Sequence, residues 1–191
     1  MTDRTHLDVA LIERYLEGDV DAFDELMRAH EDRVFAICMR MMRDRDAALD
    51  ATQDTFLTVF RKADRYKAEA AFSTWLYRVT MNTCYDHLRR QQRKQADRLP
   101  ESHDPPDHAA ASSLDAVELR PELEGALLQL SDDFRAAVVL VDMEGMSLDQ
   151  AADTLDVPTG TVKSRLFRAR KQLAHILGNR DTPSEHPTEA P

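Results

Sequence analysis

The chain has 191 residues, a formal net charge of −10 and only five glycines, enough length for one large or two small domains that each bury a core. No apolar run approaches the roughly 20 residues of a membrane span, and the N-terminus MTDRTHLDVALIERYLEGD lacks the basic and apolar blocks of a secretory signal, so a cytoplasmic protein is expected. Cys38 and Cys84 stand singly on apolar helical patterns and the seven histidines show no ligand spacing. Small buried hydrophobes are therefore expected at both cysteines, and neither a disulfide nor a metal site.

Apolar spacing is helical wherever it is regular, which predicts an all-α protein. Residues 9 to 17 read as a short helix closed by Gly18, and Asp19 to Asp21 open a long one. In it Phe23, Leu26, Met27, His30, Val34, Ile37, Cys38 and Met41 keep unbroken helical spacing, so it is predicted to be the central packing helix. A third helix runs from about Asp46 to Lys62, with Leu49, Thr52, Phe56, Val59, Phe60 and Ala63 as its buried arc. On its other side Asp50, Asp54, Leu57 and Arg61 follow one another at spacings of four, three and four, with Gln53 at the edge. A solvated face is the simplest account, but two acids four residues apart repel. Leu57 among them has the look of an anchor for a partner.

Asp64 to Ala71, DRYKAEAA, reads as a loop, and Ser73 is expected to cap a fourth helix. Its inner arc is Leu76, Val79, Thr80, Thr83 and Cys84. The opposite arc carries Trp75, Arg78, Asn82, Tyr85, Asp86, Arg89 and Arg93. Trp75 could simply be core. Aromatics, an amide and arginines interleaved along one face also suit a surface that stacks unpaired bases and tracks a phosphate backbone.

Residues 96–120 hold three of the eight prolines, few large apolar residues and a net negative charge, which predicts a flexible acidic linker. Helices resume near Pro121 with a Leu123, Leu127, Leu130 stripe. Ser131 is expected to cap the next helix, Phe134 to Glu144, with Phe134, Val138 and Val141 inward and Gly145 ending it. Residues 179–191, with three prolines, read as a disordered tail.

Between them lies the most informative stretch, SLDQAADTLDVPTGTVKSRLFRARKQLAHIL from Ser147 to Leu177. Ser147 and Gln150 form a capping box for a first helix with Leu148, Ala151, Ala152 and Leu155 inward. Pro158 disfavours helix at Val157, and Thr159 is expected to cap a second helix. These are the parts of a helix-turn-helix. In the second helix Val162, Leu166, Ala169, Leu173 and Ile176 face the core. Thr161, Ser164, Phe167, Arg168 and Lys171 project oppositely, with Lys163, Arg165 and Arg170 on the flanks. Hydroxyls, guanidinium groups and an exposed phenylalanine are what a major-groove reader needs for base edges, phosphates and thymine methyls.

The acidic total is segregated. Residues 1–32 carry a net −7, residues 33–98 +6, residues 99–124 −6 and residues 125–191 −3. The acidic flanks should repel bare DNA and weaken binding by the free protein.

DATQDTFLTVFRKADRY with FSTWLYRVTMNTCYDHLRR resembles region two of the extracytoplasmic-function sigma factors of the sigma-70 family, and LSDDFRAAVVLVDMEGMSLDQAADTLDVPTGTVKSRLFRARKQL resembles their region four. The resemblance covers roughly residues 9–95 and 121–177. It implies a region two helical bundle over 1–95, joined by the linker to a region four helix-turn-helix over 121–178. By that resemblance Asp50, Gln53 and Asp54 dock on the clamp helices of core RNA polymerase, on the face that also bears Leu57 and Arg61. Lys67 to Phe72 form the loop that captures a flipped base of the minus-ten element. Asn82 and neighbouring arginines hold the strand, along the face of Trp75, Arg78, Asp86, Arg89 and Arg93. Thr161, Lys163, Ser164, Arg165, Phe167 and Arg168 read the minus-thirty-five element, with Lys171 on the same face. The chain departs from the family pattern at Leu49, where an acid is frequent, at Asp54, usually Glu, and at Phe60, commonly Trp.

The implied function is promoter recognition, DNA melting and transcription initiation with core RNA polymerase, at a specific set of genes. Promoter DNA and an anti-sigma factor are the further partners implied, with no cofactor, no catalysis by the chain itself, no membrane contact of its own and a monomeric state. A stand-alone helix-turn-helix regulator is the main alternative; it would need a sensor pocket within residues 1–95. A recombinase-like enzyme would need a nucleophile among arginines or paired metal carboxylates, and only Asp50 and Asp54 pair, on a smooth helix face.

Overall fold

A computed structural model describes residues 2–42, 44–68, 70–96 and 121–178. The expected linker falls almost wholly outside the described residues, and the C-terminal tail falls wholly outside them. The described residues are helical with no strand.

The first unit holds α1 (Thr2–Leu16), α2 (Val20–Met41), α3 (Arg45–Lys62) and α4 (Phe72–Ala96). A single 3-10 turn, Ala63–Arg65, follows α3. Helix α1 begins well before residue 9, where regular spacing first becomes visible. Gly18 turns the chain out of it at φ +106°, which L side chains rarely adopt. Asp19 accepts a hydrogen bond from the Ala22 amide at 3.3 Å and Asp44 one from Ala47 at 2.7 Å, so α2 and α3 both start on carboxylate caps. The apolar stripe of α2 is buried as its spacing predicts, apart from a half-buried Met27.

Helix α3 is rotated from the expected arc. Ala48, Ala51, Thr52, Thr55, Phe56 and Val59 are buried, whereas Leu49 and Phe60 are exposed. Small residues at 48, 51 and 55 let α3 lie close to its neighbours, and that close approach outweighs burial of the two larger side chains. Phe60 instead closes an aromatic rim with Tyr15 and Phe23 at ring separations of 5.4 and 5.2 Å. Helix α4 starts at Phe72, one residue ahead of the expected Ser73 cap, and its first bonds run from the Thr74 and Trp75 amides to the Ala71 carbonyl.

The second unit holds α5 (Pro121–Leu128), α6 (Asp132–Val138), α7 (Leu148–Leu155) and α8 (Thr159–Gly178). Ser131 accepts from the Phe134 amide as expected. The helix does not run as α-helix to Glu144; Val139–Met143 widens into a π turn, with the Glu144 amide bonded to the Val139 carbonyl. Gly145 then leaves at φ +69°. The capping box forms in both directions, with Ser147 N–H to Gln150 Oε1 at 2.9 Å and Gln150 N–H to Ser147 Oγ at 3.1 Å. Asp156, in the left-handed region at φ 54°, makes the turn ahead of Pro158. Thr159 is not the cap: α8 already includes it, its first bond runs from the Thr161 amide to the Pro158 carbonyl, and the Thr159 hydroxyl ties back to Asp149 of α7 at 2.8 Å.

The second unit keeps a small core of its own, Leu127, Leu130, Ala137, Val138, Leu166 and Ala169, and lends other side chains to the core of the first. Ala136, Val139, Leu140, Met146, Ala151, Ala152 and Val162 join the apolar cluster of α1 to α4. Arg135, 1% exposed, anchors the junction. Its guanidinium donates to the carbonyls of Leu127, Leu128 and Leu130 at the C-terminal end of α5, and at 2.6 Å to the carbonyl of Met41 at the end of α2. One cation therefore satisfies the orphan carbonyls of two helix ends, where a positive charge is also favoured by the helix dipoles. Arg33 and Arg40 of α2 grip the buried carboxylate of Glu144 at 2.7 and 2.6 Å.

Candidate polymerase and nucleic-acid interfaces

The first surface is on α3. Asp50, Gln53, Leu57 and Arg61 are exposed along one face, as their spacing predicts, with Leu57 half-open to solvent at 50%. Asp54 is half-buried because its carboxylate lies 2.8 Å from His87 Nε2 on α4. This contact braces α3 against α4. A groove of about 210 Å³ runs beside it, lined by Asp54, Leu57, Arg61, Asp86, His87 and Arg90. An apolar knob flanked by acids and an arginine suits a protein partner rather than DNA, whose phosphates the acids would repel.

The second surface surrounds the start of α4. Phe72 is buried at 1% exposure and is a packing residue here. Tyr66, Trp75 and His30 enclose its ring at separations of 5.5, 5.7 and 5.4 Å, so within the expected loop Phe72 is the residue that faces the core. Beneath it His30 Nε2 meets Asp8 Oδ1 at 2.9 Å, a buried pair joining α1 to α2 that the sequence reading missed. Only an acid in α1 and a histidine at a core position of α2 pointed to it. The loop above is closed by the Tyr66 hydroxyl donating to the Ala70 carbonyl at 2.8 Å, and Ala68 sits at φ 56°, a conformation costing an L residue about 1–2 kcal/mol. Burial pushes the Tyr66 phenol above its usual range.

Lys67 is exposed beside this loop, and Trp75 is half-buried, so its ring both packs on the core and reaches a cleft of about 600 Å³. Arg65, Lys67 and Arg78 line one wall of that cleft and Asp153, Asp156 and Pro158 the other. Further along α4, Asn82, Asp86, Arg89 and Arg93 are exposed. Arg89 pairs with Asp86 at 3.1 Å and lies over the Tyr85 ring at 6.0 Å. Tyr85 itself faces the second unit and donates to Asp133 at 3.2 Å; burial and that carboxylate push its phenol up. Gln92 likewise donates to Asp132 at 3.2 Å, and Arg78 lies 3.4 Å from Asp156. The second unit thus covers part of this face of α4.

The third surface is the outer side of α8. Lys163, Ser164, Phe167, Arg168 and Lys171 are exposed, Phe167 at 72%, and Thr161 is half-buried. Val162, Leu166 and Ala169 are buried, with Leu173 and Ile176 half-buried behind them. Arg165 is turned inward to Asp133 of α6 at 2.5 Å, and Arg170 is held by Asp142, which raises its pKa further. Of the seven residues expected to read duplex DNA, six therefore stand together on one side and Arg165 is engaged within the protein. Arg135, Asp133 and Glu144, which set the position of this surface, were not singled out from sequence. Arg135 was discoverable as a lone cation in the apolar run FRAAVVLV.

A two-part helical protein with an aromatic and basic helix in one unit and a helix-turn-helix in the other fits the class of promoter-binding factors. The family model described as Sigma-70 region 2 matches residues 26–94, and that described as Sigma-70, region 4 matches residues 120–173. The chain is 38% identical over 175 residues to the ECF RNA polymerase sigma factor SigM of Mycobacterium tuberculosis, covering 92% of this chain and 87% of that protein. It is 39% identical over 164 residues to the ECF RNA polymerase sigma factor SigE of Mycolicibacterium smegmatis, covering 84% of this chain and 63% of that longer protein. Among solved structures, the sigma factor RpoE of Bartonella quintana, in complex with the anti-sigma factor NepR, superposes with a TM-score of 0.66 at 26% identity, covering 83% of this chain and 98% of that one. The chain belongs to the sigma-70 family, in its ECF subfamily.

Proposed function

We propose that this chain loads onto core RNA polymerase through α3, opens promoter DNA with α4 and the loop before it, and reads the upstream element with α8. The observation that carries this reading is the juxtaposition of three unlike surfaces on one small fold: acids around an apolar knob on α3, cations and a half-open tryptophan at α4, and an exposed phenylalanine among cations on α8. Phosphate contacts position such a protein and base contacts specify the sequence. Asp50, Gln53, Asp54, Leu57 and Arg61 form the polymerase contact. Lys67, Trp75, Arg78, Asn82, Asp86, Arg89 and Arg93 serve the minus-ten strand, with Phe72 supporting them from beneath. Thr161, Lys163, Ser164, Arg165, Phe167, Arg168 and Lys171 serve the minus-thirty-five duplex, once Arg165 exchanges Asp133 for phosphate.

Catalysis belongs to the polymerase, and the chain works in the cytoplasm, where that enzyme is. No helix among the described residues is long and apolar enough to cross a membrane. An anti-sigma factor is the expected inhibitor, as in the Bartonella quintana complex. The stand-alone regulator is set aside, since family membership accounts for both units together. Reconstituted transcription tests the whole reading: the chain added to core polymerase should start transcripts at a discrete set of genomic promoters, and core polymerase alone should not. Equal transcript patterns with and without the chain would sink it.

A further inference from the structure

Cys38 of α2 and Cys84 of α4 have their sulfur atoms 3.8 Å apart, and both residues are fully buried. They stand 46 positions apart in sequence and meet at the packing contact of two long helices. The Cys84 thiol donates to the Cys38 sulfur. The hydrogen bond from Cys84 holds the Cys38 thiol below its ordinary pKa, while that same hydrogen bond and burial push Cys84 up. Both sulfurs lie in the core, beneath the surfaces assigned to docking and to DNA. Disulfides in reducing compartments are usually transient and redox-sensing rather than structural.

We propose that Cys38 and Cys84 are a reversible dithiol–disulfide pair, oxidised by a peroxide, which covalently joins α2 to α4 and slows loading onto core polymerase. The Cys38 thiolate attacks one peroxide oxygen, the O–O bond breaks, and a sulfenic acid and water result. The Cys84 sulfur, giving up its proton, then attacks the Cys38 sulfur; the S–S bond forms and hydroxide leaves as water. Two thiols and one hydrogen peroxide become one disulfide and two waters. Complete burial means that the reaction proceeds through local opening of the α2–α4 contact.

The structural consequence follows from what the bond encloses. The covalent ring from Cys38 to Cys84 contains all of α3 and the base-capturing loop. Bonding draws the sulfurs from 3.8 Å to about 2.05 Å, and a close-packed interior cannot absorb that locally. Helix α3 packs against both α2 and α4, so the displacement reaches the docking helix. The effect on loading rests on the proposed sigma function; the disulfide itself does not.

The test uses the full chain, treated with hydrogen peroxide and then with dithiothreitol. Thiol titration in denaturant should fall from two per chain to none and return to two on reduction, and the tryptic peptides carrying Cys38 and Cys84 should appear joined, lighter by two hydrogen atoms. Initiation with core polymerase should fall several-fold on oxidation and recover with dithiothreitol, and Cys84→Ala should abolish that reversible loss. Cys38→Ala serves as the second variant in case the first folds poorly. Two titratable thiols surviving peroxide, or joined peptides only between different chains, would overturn the pair. A joined pair with unchanged initiation would overturn the switch. If the reduced protein fails to initiate at all, the sigma assignment has failed, and the thiol count still reports on the pair.

Discussion

The two units are built by different means. In α1 to α4 the helices span 15, 22, 18 and 25 residues, each long enough for an apolar stripe to fix its orientation. In the second unit α5, α6 and α7 have only eight, seven and eight residues, below the length at which an isolated helix is stable in water. They depend on caps, on the π turn after α6 and on a buried arginine. The difference teaches where each unit can be broken: the first by disturbing its packing, the second by removing a few polar atoms.

Arg135 is the sharpest way to test that contrast. Replacing it with Met keeps much of the volume but leaves the carbonyls of Leu127, Leu128, Leu130 and Met41 without their donor. At about 1–3 kcal/mol per unsatisfied buried acceptor, with water recovering some of them, a loss of roughly 3–5 kcal/mol is expected. Amide hydrogen exchange should show protection lost in α5 to α8 and largely kept in α2. Uniform loss in both units would mean that they fold as one body and erase the distinction.

Glu144 comes next. It holds the units together through Arg33 and Arg40, and its neighbourhood raises the Arg33 pKa further. Glu144→Gln keeps the shape and removes the charge, so about 1.5–3 kcal/mol of charged hydrogen bonding is weakened. The expected result is a larger radius of gyration by small-angle scattering, with helix content unchanged. An unaltered radius would show that the shared apolar core alone holds the units closed.

Ser147→Ala removes one half of the capping box at α7 and should cost about 1 kcal/mol, within the usual 0.5–2. A lower thermal midpoint with α2 exchange unaffected would fit the contrast between the units.

What sequence revealed follows the same division. The stripe of α2, the capping box and the exposed faces of α3 and α8 were legible because periodicity and caps are local signals. The rotation of α3 was not, because Leu49 and Phe60 match a helical arc as well as Ala48 and Ala51 do. Only the close approach of neighbouring helices, set by the small side chains, selects between them. The closure of the second unit on the first was also hidden, since Asp133, Glu144 and Asp156 read as surface acids until their arginine partners appear. The two cysteines were read as buried, which they are; that they touch is a long-range fact.

The α3 face should separate stability from docking. Asp50→Arg with Asp54→Arg removes only the contact to His87, in which Asp54 is half-exposed, so the stability change should stay below about 1 kcal/mol. Retention on immobilised core polymerase should nevertheless be lost. Normal retention would move the docking site elsewhere.

The smallest effect on stability is expected at Phe167, and there the proposed reading of DNA is most directly tested. The ring is 72% exposed on the outer side of α8, so Phe167→Ala removes almost no buried surface and should change stability by no more than about 0.5 kcal/mol. An exposed aromatic that contributes nothing to folding stands out beside Lys163, Ser164, Arg168 and Lys171, all of which are polar. If it packs against a thymine methyl in the major groove, its loss should weaken the preferred promoter and leave a variant lacking that methyl unchanged. If Lys171 contacts a phosphate, Lys171→Ala should weaken every duplex alike and reduce the salt dependence by about one unit of slope. Binding by the polymerase-bound protein, at fixed salt across a set of promoter variants, distinguishes the two patterns. A loss at Phe167 that is equal on all sequences would make it a backbone or protein contact, and base reading would then fall to Ser164 and Arg168 alone.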